Sequence, residues 1–153
     1  MSKDIKLVQK NKKAYFNYEI LEELECGISL VGTEVKSVRE GRVSFSDSYI
    51  IPKDGKLILT GFIIQPYSHG NIFNHESDRK RMLLAHKDEI KKFTRKVNEK
   101  GLTIVPLSIY IKGNLVKMNI ALARGKNVRD KKEAIKEKDL KIDARRQLRE
   151  MNY

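Results

Sequence analysis

Val116, Met118, Ile120 and Leu122 fall on one face of the stretch 113–122, and Lys117 and Asn119 fall on the other. A period of two is the mark of a half-buried strand. Immediately upstream, Val105, Leu107, Ile109 and Ile111 alternate with Pro106, Ser108 and Tyr110, and Gly113-Asn114 supplies the turn of a hairpin. Pro106 sits near the start of its strand, where a missing N–H does least harm. A second hairpin is predicted at Asp54-Gly55, joining Ser46–Pro52 to Lys56–Ile64. Tyr15–Leu24 and Ile28–Val31 read as a further strand pair around Cys26-Gly27.

Two helices interrupt this pattern. Thr33 is placed to cap Glu34–Arg39, with Gly41 past the end. The second runs from about Lys87 to Lys100, with Leu83, Ile90, Phe93 and Val97 on one stripe and Gly101 as its stop. Six or so short antiparallel strands with a helix early and another before the last hairpin predict a mainly β fold. The expected form is an OB-fold-like closed antiparallel barrel with flanking α-helices.

The final thirty residues cannot hold themselves folded alone. Arg124 to Tyr153 carries eleven Lys and Arg against six Asp and Glu, with no proline and little to build a core. Leu140, Ala144, Leu148 and Met151 follow helical spacing, but Ile135 and Ile142 lie roughly opposite, so the stripe makes a poor core face. The expected organisation is a barrel domain over 1–123 and a basic tail over 124–153, disordered when free and helical when bound.

Charge narrows the partner. The 153 residues carry a net charge of +12, of which +5 lies in the tail and +7 in the body, so both parts favour a polyanion. One cysteine, Cys26, excludes an internal disulfide and argues against a cysteine-based zinc site. No apolar run approaches the roughly 18 residues of a membrane span and the first residues lack a signal-peptide core, which predicts a cytoplasmic protein.

Catalytic chemistry is sparse. His69, His75 and His86 match no metal-ligand spacing, Asp47-Ser48 and Glu34 pair into no acid–base couple or triad, and no phosphate-cradling glycine loop occurs. A noncatalytic protein without metal or cofactor is expected. The basic clusters say more. Lys10, Lys12 and Lys13 adjoin Tyr15, Phe16 and Tyr18, combining phosphate contacts with stacking surface. Arg79-Lys80-Arg81 reads as a charged loop before Met82-Leu83-Leu84, and Arg124, Lys126 and Arg129 stand where body meets tail. Glu25 is either a solvated turn residue or an acceptor for a base edge. A general single-strand RNA binder of cold-shock type and an RNA-processing nuclease are the rival readings.

These residues closely resemble the SsrA-binding protein family, or small protein B, the partner of bacterial transfer-messenger RNA (tmRNA). The resemblance runs from about Asn11 to Arg149. Its most specific block is Gly32-Thr33-Glu34-Val35-Lys36-Ser37-Val38-Arg39 followed by Asp47-Ser48-Tyr49. Asn11-Lys12-Lys13, Glu25-Cys26-Gly27, Gly70-Asn71, Asn74-His75, Arg79-Lys80-Arg81, His86-Lys87, Arg124-Gly125-Lys126 and Asp130-Lys131-Lys132 also match.

The resemblance implies an OB-like barrel and rescue of stalled ribosomes by trans-translation. By resemblance, Asn11, Lys12, Glu25, Tyr49, Leu84, Arg124 and Lys126 grip the tRNA-like end of tmRNA, and Lys13, Tyr18, Arg79, Lys80, Arg81 and Lys117 complete the expected RNA-binding set. The tail would enter the empty messenger channel of the small subunit as a helix. Gly125 and Arg129 would lie near the decoding centre, with Asp130, Lys131, Lys132, Ile135 and Lys136 along the channel. The implied partners are tmRNA, the stalled ribosome with its small-subunit rRNA, and elongation factor Tu in the delivered complex, with the protein a monomer. Arg129 stands where the family often has histidine, Lys132 where it often has arginine, and Met82 and Ala85 where it usually has lysine and leucine. Arginine can still stack and contact phosphate at 129.

Overall fold

The hairpin expected around Gly113-Asn114 forms as β6 (Thr103–Lys112) and β7 (Leu115–Gly125) in the computed structural model, which describes residues 5–68 and 74–126. Lys112 faces Leu115 across the two-residue turn, and Gly113 takes φ +63°. The Asp54-Gly55 hairpin joins β3 (Val43–Lys53) to β4 (Lys56–Ile64). Asp54 and Gly55 adopt φ of 51° and 73°, the left-handed pair that a two-residue turn needs to match strand twist.

The remaining elements are β1 (Ile5–Lys10), α1 (Lys12–Asn17), β2 (Tyr18–Ile28), α2 (Gly32–Arg39), β5 (Arg81–Leu84) and α3 (Lys87–Lys100). The strands run in the order β1-β6-β3-β4-β5-β2-β7, and β7 returns to pair with β6. Six strands therefore close an antiparallel barrel, as the strand pattern predicts. β1 lies outside the ring along the end of β6 from Ser108 to Lys112. The β7 strand continues to Gly125, two residues beyond the expected domain boundary.

The barrel interior is filled by Cys26, Phe45, Leu57, Leu59, Phe62, Ile64, Ile104, Ile109, Met118, Ile120 and Leu122 among others, with Phe45 and Phe62 rings 4.8 Å apart. Ile90 and Phe93 of α3 pack into the same core, and Gly101 terminates the helix at φ +63°. Burial pushes the Cys26 thiol up to about 12, which keeps it protonated and inert.

A second, smaller core lies under α1: Ala14 packs with Val105, Leu107, Ala121 and Ala123. Its existence corrects the single apolar face read over Val105 to Ile111. A bulge between Pro106 and Ser108 shifts the register. Val105 and Leu107 thereby face α1 while Ile104 and Ile109 both face the barrel.

Four other expectations are corrected. Tyr15 and Phe16 belong to α1, and the strand pair around Cys26-Gly27 is one continuous strand, β2. Gly27 makes no turn there. A Cβ on it would stand 3.3 Å from Leu84 Cβ, so glycine permits the close approach of β5. α2 starts at Gly32 with Val31, not Thr33, at its cap. Valine has no acceptor, and the Glu34 carboxylate receives the Val31 N–H at 3.0 Å instead. Leu83 is buried in β5 and is not part of the α3 stripe.

Candidate RNA-binding surface

Seven of the expected contact residues line two recesses at opposite ends of β2, about 25 Å apart along a strand that rises roughly 3.3 Å per residue. The first, about 420 Å³, is lined by Glu25, Gly27, Leu84, Ala85, His86, Glu89 and Lys117. Gly27 pairs with Leu84 on one side and Lys117 on the other, which brings an apolar side chain and an ammonium to the same opening. Leu84 is half exposed, a large apolar side chain at this opening.

Glu25 lies within β2, so it is no turn residue, and its exposed carboxylate is held by two side chains of β6. The Tyr110 hydroxyl donates to Oε2, and Lys112 Nζ reaches Oε1 at 3.3 Å. The Tyr110 hydrogen bond first, then Lys112, hold the Glu25 carboxyl below its ordinary range, and burial with the same contact raises the Tyr110 phenol. Sequence reasoning did not assign a role to Tyr110 or Lys112. Their signal was the period-two spacing on β6, which needs the β2–β7–β6 register before it points at Glu25. Tyr110→Phe is expected to raise the Glu25 pKa toward the free carboxylate value, since the largest stabiliser of the ionised form is gone; side-chain carboxyl NMR titration reads the change directly.

The second recess, about 210 Å³, is lined by Asn11, Lys13, Ala14, Asn17, Tyr18, Ser46, Asp47, Ser48, Tyr49, Thr103 and Val105. Its shape depends on two devices. Asn11 is buried, its side-chain amide donating to Pro106 O at 2.8 Å and its backbone N–H to Leu107 O at 2.7 Å, so it ties α1 to the β6 bulge. A bulge in β3 between Phe45 and Tyr49 turns Asp47 toward the opening, and Ser48 Oγ donates to Gly61 O at 3.1 Å. Lys12 and Lys13 are exposed, and Lys10 Nζ stands 4.6 Å over the Tyr15 ring. Arg124 is exposed beside Glu19 at 3.4 Å. The Lys126 N–H donates to Asn17 O at 3.0 Å, so the chain leaves the barrel next to this recess.

The Arg79-Lys80-Arg81 run is divided rather than presented as one charged loop. Arg81 is wholly buried: Nε donates to Glu34 Oε2 at 2.7 Å and Nη1 to Phe62 O at 2.7 Å. Arg79 Nη2 meets Glu34 Oε1 at 2.5 Å, and of the three only Lys80 is exposed. Burial alone would raise the Glu34 pKa. The hydrogen bonds from Arg79, the Val31 N–H and Arg81 outweigh it and hold the carboxyl below its ordinary range. Arg81 is therefore a structural counter-ion with no surface to offer RNA, which corrects its place in the expected set. Arg79 retains a partly exposed edge.

Thr33 and His75 are drawn together by the same loop. Ile64 O can only accept, so His75 Nε2 carries the proton that reaches it at 2.9 Å, and Nδ1 shares a hydrogen bond of 2.8 Å with the Thr33 hydroxyl. Among the described residues no group of three or more His, Cys, Asp or Glu could hold a metal ion. His69, Gly70, Asn71, Arg129, Asp130, Lys131, Lys132, Ile135 and Lys136 lie outside the described residues.

The SmpB protein family profile matches residues 8–150. An SsrA-binding protein of Treponema denticola is 46% identical over 145 residues, covering 95% of this chain and 94% of its own. One from Carboxydothermus hydrogenoformans is 48% identical over 144 residues, with coverages of 94% and 97%. A solved chain described as "tmRNA-SmpB: a journey to the center of the bacterial ribosome" superposes with a TM-score of 0.67 at 46% identity, covering 83% of this chain and 93% of that one.

Proposed function

The chain belongs to the SmpB protein family, and on that premise we propose that it is an adaptor that binds the tRNA-like domain of tmRNA and delivers it to stalled ribosomes for trans-translation. The observation that carries this reading is the recess where Glu25, Leu84 and Lys117 converge. A fixed carboxylate can accept from the exocyclic amine of a base, a bare leucine can pack against an unstacked base or ribose, and the ammonium can meet phosphate. A carboxylate would be a poor choice for general phosphate binding. It fits a site that reads one RNA shape.

In this proposal Lys12, Lys13, Tyr18, Tyr49, Arg79, Lys80, Arg124 and Lys126 supply further RNA contacts, and Asn11 acts by holding α1 in place. The tail from Arg129 through Asp130, Lys131, Lys132, Ile135 and Lys136 tracks the messenger channel after Gly125 passes the decoding centre. Elongation factor Tu accompanies the delivered complex. The protein works as a cytoplasmic monomer and performs no chemistry itself.

Removing everything after Lys126 separates the parts. The shortened protein is expected to bind the tRNA-like RNA within about twofold of the full chain while tagging of stalled peptides is lost; parallel loss of both would sink the two-part reading. In the same binding assay Tyr110→Phe is expected to weaken the complex roughly tenfold, in line with one hydrogen bond to a charged group.

A further inference from the structure

The fold treats the two flanks of α3 differently. On one flank Lys92 and Lys96 both reach Glu22 of β2, at 2.5 and 3.1 Å. On the other, Lys87, Lys91 and Arg95 recur every fourth residue, all exposed, and among the described residues none of them is in an ion pair. They rim a groove of about 480 Å³ whose opposite lip is the Asp54-Gly55 turn and whose lining includes Ile90, Thr94 and Asn98. Lys53 and Lys56 flank that turn, directly opposed across the hairpin, exposed and likewise in no ion pair among the described residues.

Both arrangements work against the free protein. Like charges four apart on a helix repel, and so do like charges facing across a hairpin. The nearby acids, Asp54, Asp88 and Glu99, form no ion pair with these cations among the described residues. Lys87, Lys91 and Arg95 thus line one groove with no ion pair among the described residues and with Lys53 and Lys56 beside its lip, whereas on the opposite flank of the same helix Lys92 and Lys96 share Glu22.

We propose that this groove is a second RNA-binding site, taking the sugar–phosphate backbone of a single-stranded segment. The cations stand about 6 Å apart along the axis, four residues at about 1.5 Å each, a spacing that successive phosphates of an extended strand can follow. Ile90 gives an apolar floor for a ribose or base, and the Asn98 amide offers hydrogen bonds beside it; the Thr94 hydroxyl, which donates to Ile90 O at 2.7 Å, is left to accept from a ribose 2′-hydroxyl. The helix itself separates this groove from the recess around Glu25 and Leu84. Glu89, which lines that recess, lies on the flank of Lys92 and Lys96. The proposal shares with the adaptor reading only the choice of RNA as the polyanion.

The test uses the full-length protein and a fluorescent decauridylate, titrated alone and with the tRNA-like RNA saturating its own site. Lys91→Ala with Arg95→Ala is expected to weaken decauridylate binding about tenfold in both settings. The salt slope of its affinity should fall by about 1.4, since each phosphate that is no longer neutralised on a single strand lowers it by about 0.7. Affinity for the tRNA-like RNA should stay within about twofold. Lys92→Ala with Lys96→Ala removes the same charge from the other flank and is expected to change decauridylate binding less than twofold. Equal losses in the two double variants would reduce the effect to net charge and overturn the groove. Unaltered decauridylate binding in the first variant, or loss of its tRNA-like RNA affinity, would overturn it as well. Displacement of the decauridylate by polyglutamate as readily as by polyuridylate would reassign the surface to an acidic protein.

Discussion

Replacing Glu34 by alanine is expected to lower the unfolding free energy by about 3–5 kcal/mol, measured by urea denaturation, the range for removing one partner of a buried ion pair. The cost comes from what remains. Arg81 keeps its guanidinium among Phe62 O, Ser77 O and Glu76 O, at 2.7, 3.2 and 3.4 Å, without the carboxylate that neutralised it. The Val31 N–H at the start of α2 loses its acceptor at the same time. Changing Arg81→Met in the Glu34→Leu background is expected to cost far less than the two single changes added together, because no buried charge is then stranded; additive losses would show that the pair is not coupled.

Acid should reveal the same pair. The Glu34 carboxyl sits below its ordinary range in the folded protein, so on acidification the unfolded chain takes up the proton first. The contribution of Glu34 to stability is therefore complete above the ordinary carboxylate pKa of about 4.3 and is lost as pH falls through the lower folded-state value. The wild-type protein should lose more stability than Glu34→Ala over that window.

Gly61→Ala is the second large effect, expected to cost about 2–5 kcal/mol from a left-handed backbone and a forced contact together. Gly61 adopts φ +79°, and a Cβ there would lie 2.4 Å from Asp47 O and 2.9 Å from Asp47 C. The obstruction is backbone, so no side-chain rotation relieves it. Gly41 isolates the two contributions. It has φ +75° with nothing within 4 Å of its would-be Cβ, so Gly41→Ala should cost only about 1 kcal/mol. Equal melting shifts for the two variants would dismiss the contact. Displacing the β3 bulge also moves Tyr49 and Asp47, so Gly61→Ala should disturb the recess beneath α1 before the one around Glu25.

Both hairpins were legible in the chain because their evidence is local: alternating burial on each side of a two-residue turn. α3 was legible for the same reason, from Ile90, Phe93 and Val97 through to Gly101. What the chain concealed rests on distant partners. Gly27 resembles a turn residue until Leu84, 57 positions away, occupies the space a side chain would need. Arg81 looks like surface charge until Glu34 arrives 47 positions from it. The bulge at Pro106 makes Leu107 and Ile109 change faces, although the letters alternate without a break. β1 drew no strand assignment because it lies outside the ring and leaves Ile5 and Leu7 largely exposed, which blurs the alternation. At the candidate site the residue types and Glu25 itself were readable, whereas the hold of Tyr110 on that carboxylate crosses three strands.

The pairing of β7 on both edges has a mechanical consequence. β2 grips it from Tyr18–Gly125 to Gly27–Lys117, and β6 grips it from Thr103–Ala123 to Lys112–Leu115. Tension applied at Lys126 along the strand axis loads two ladders in shear simultaneously and cannot peel hydrogen bonds away one at a time. A pull on the far end of the chain is thereby transmitted to the whole barrel as a rigid load, and whatever RNA the barrel holds is towed with it.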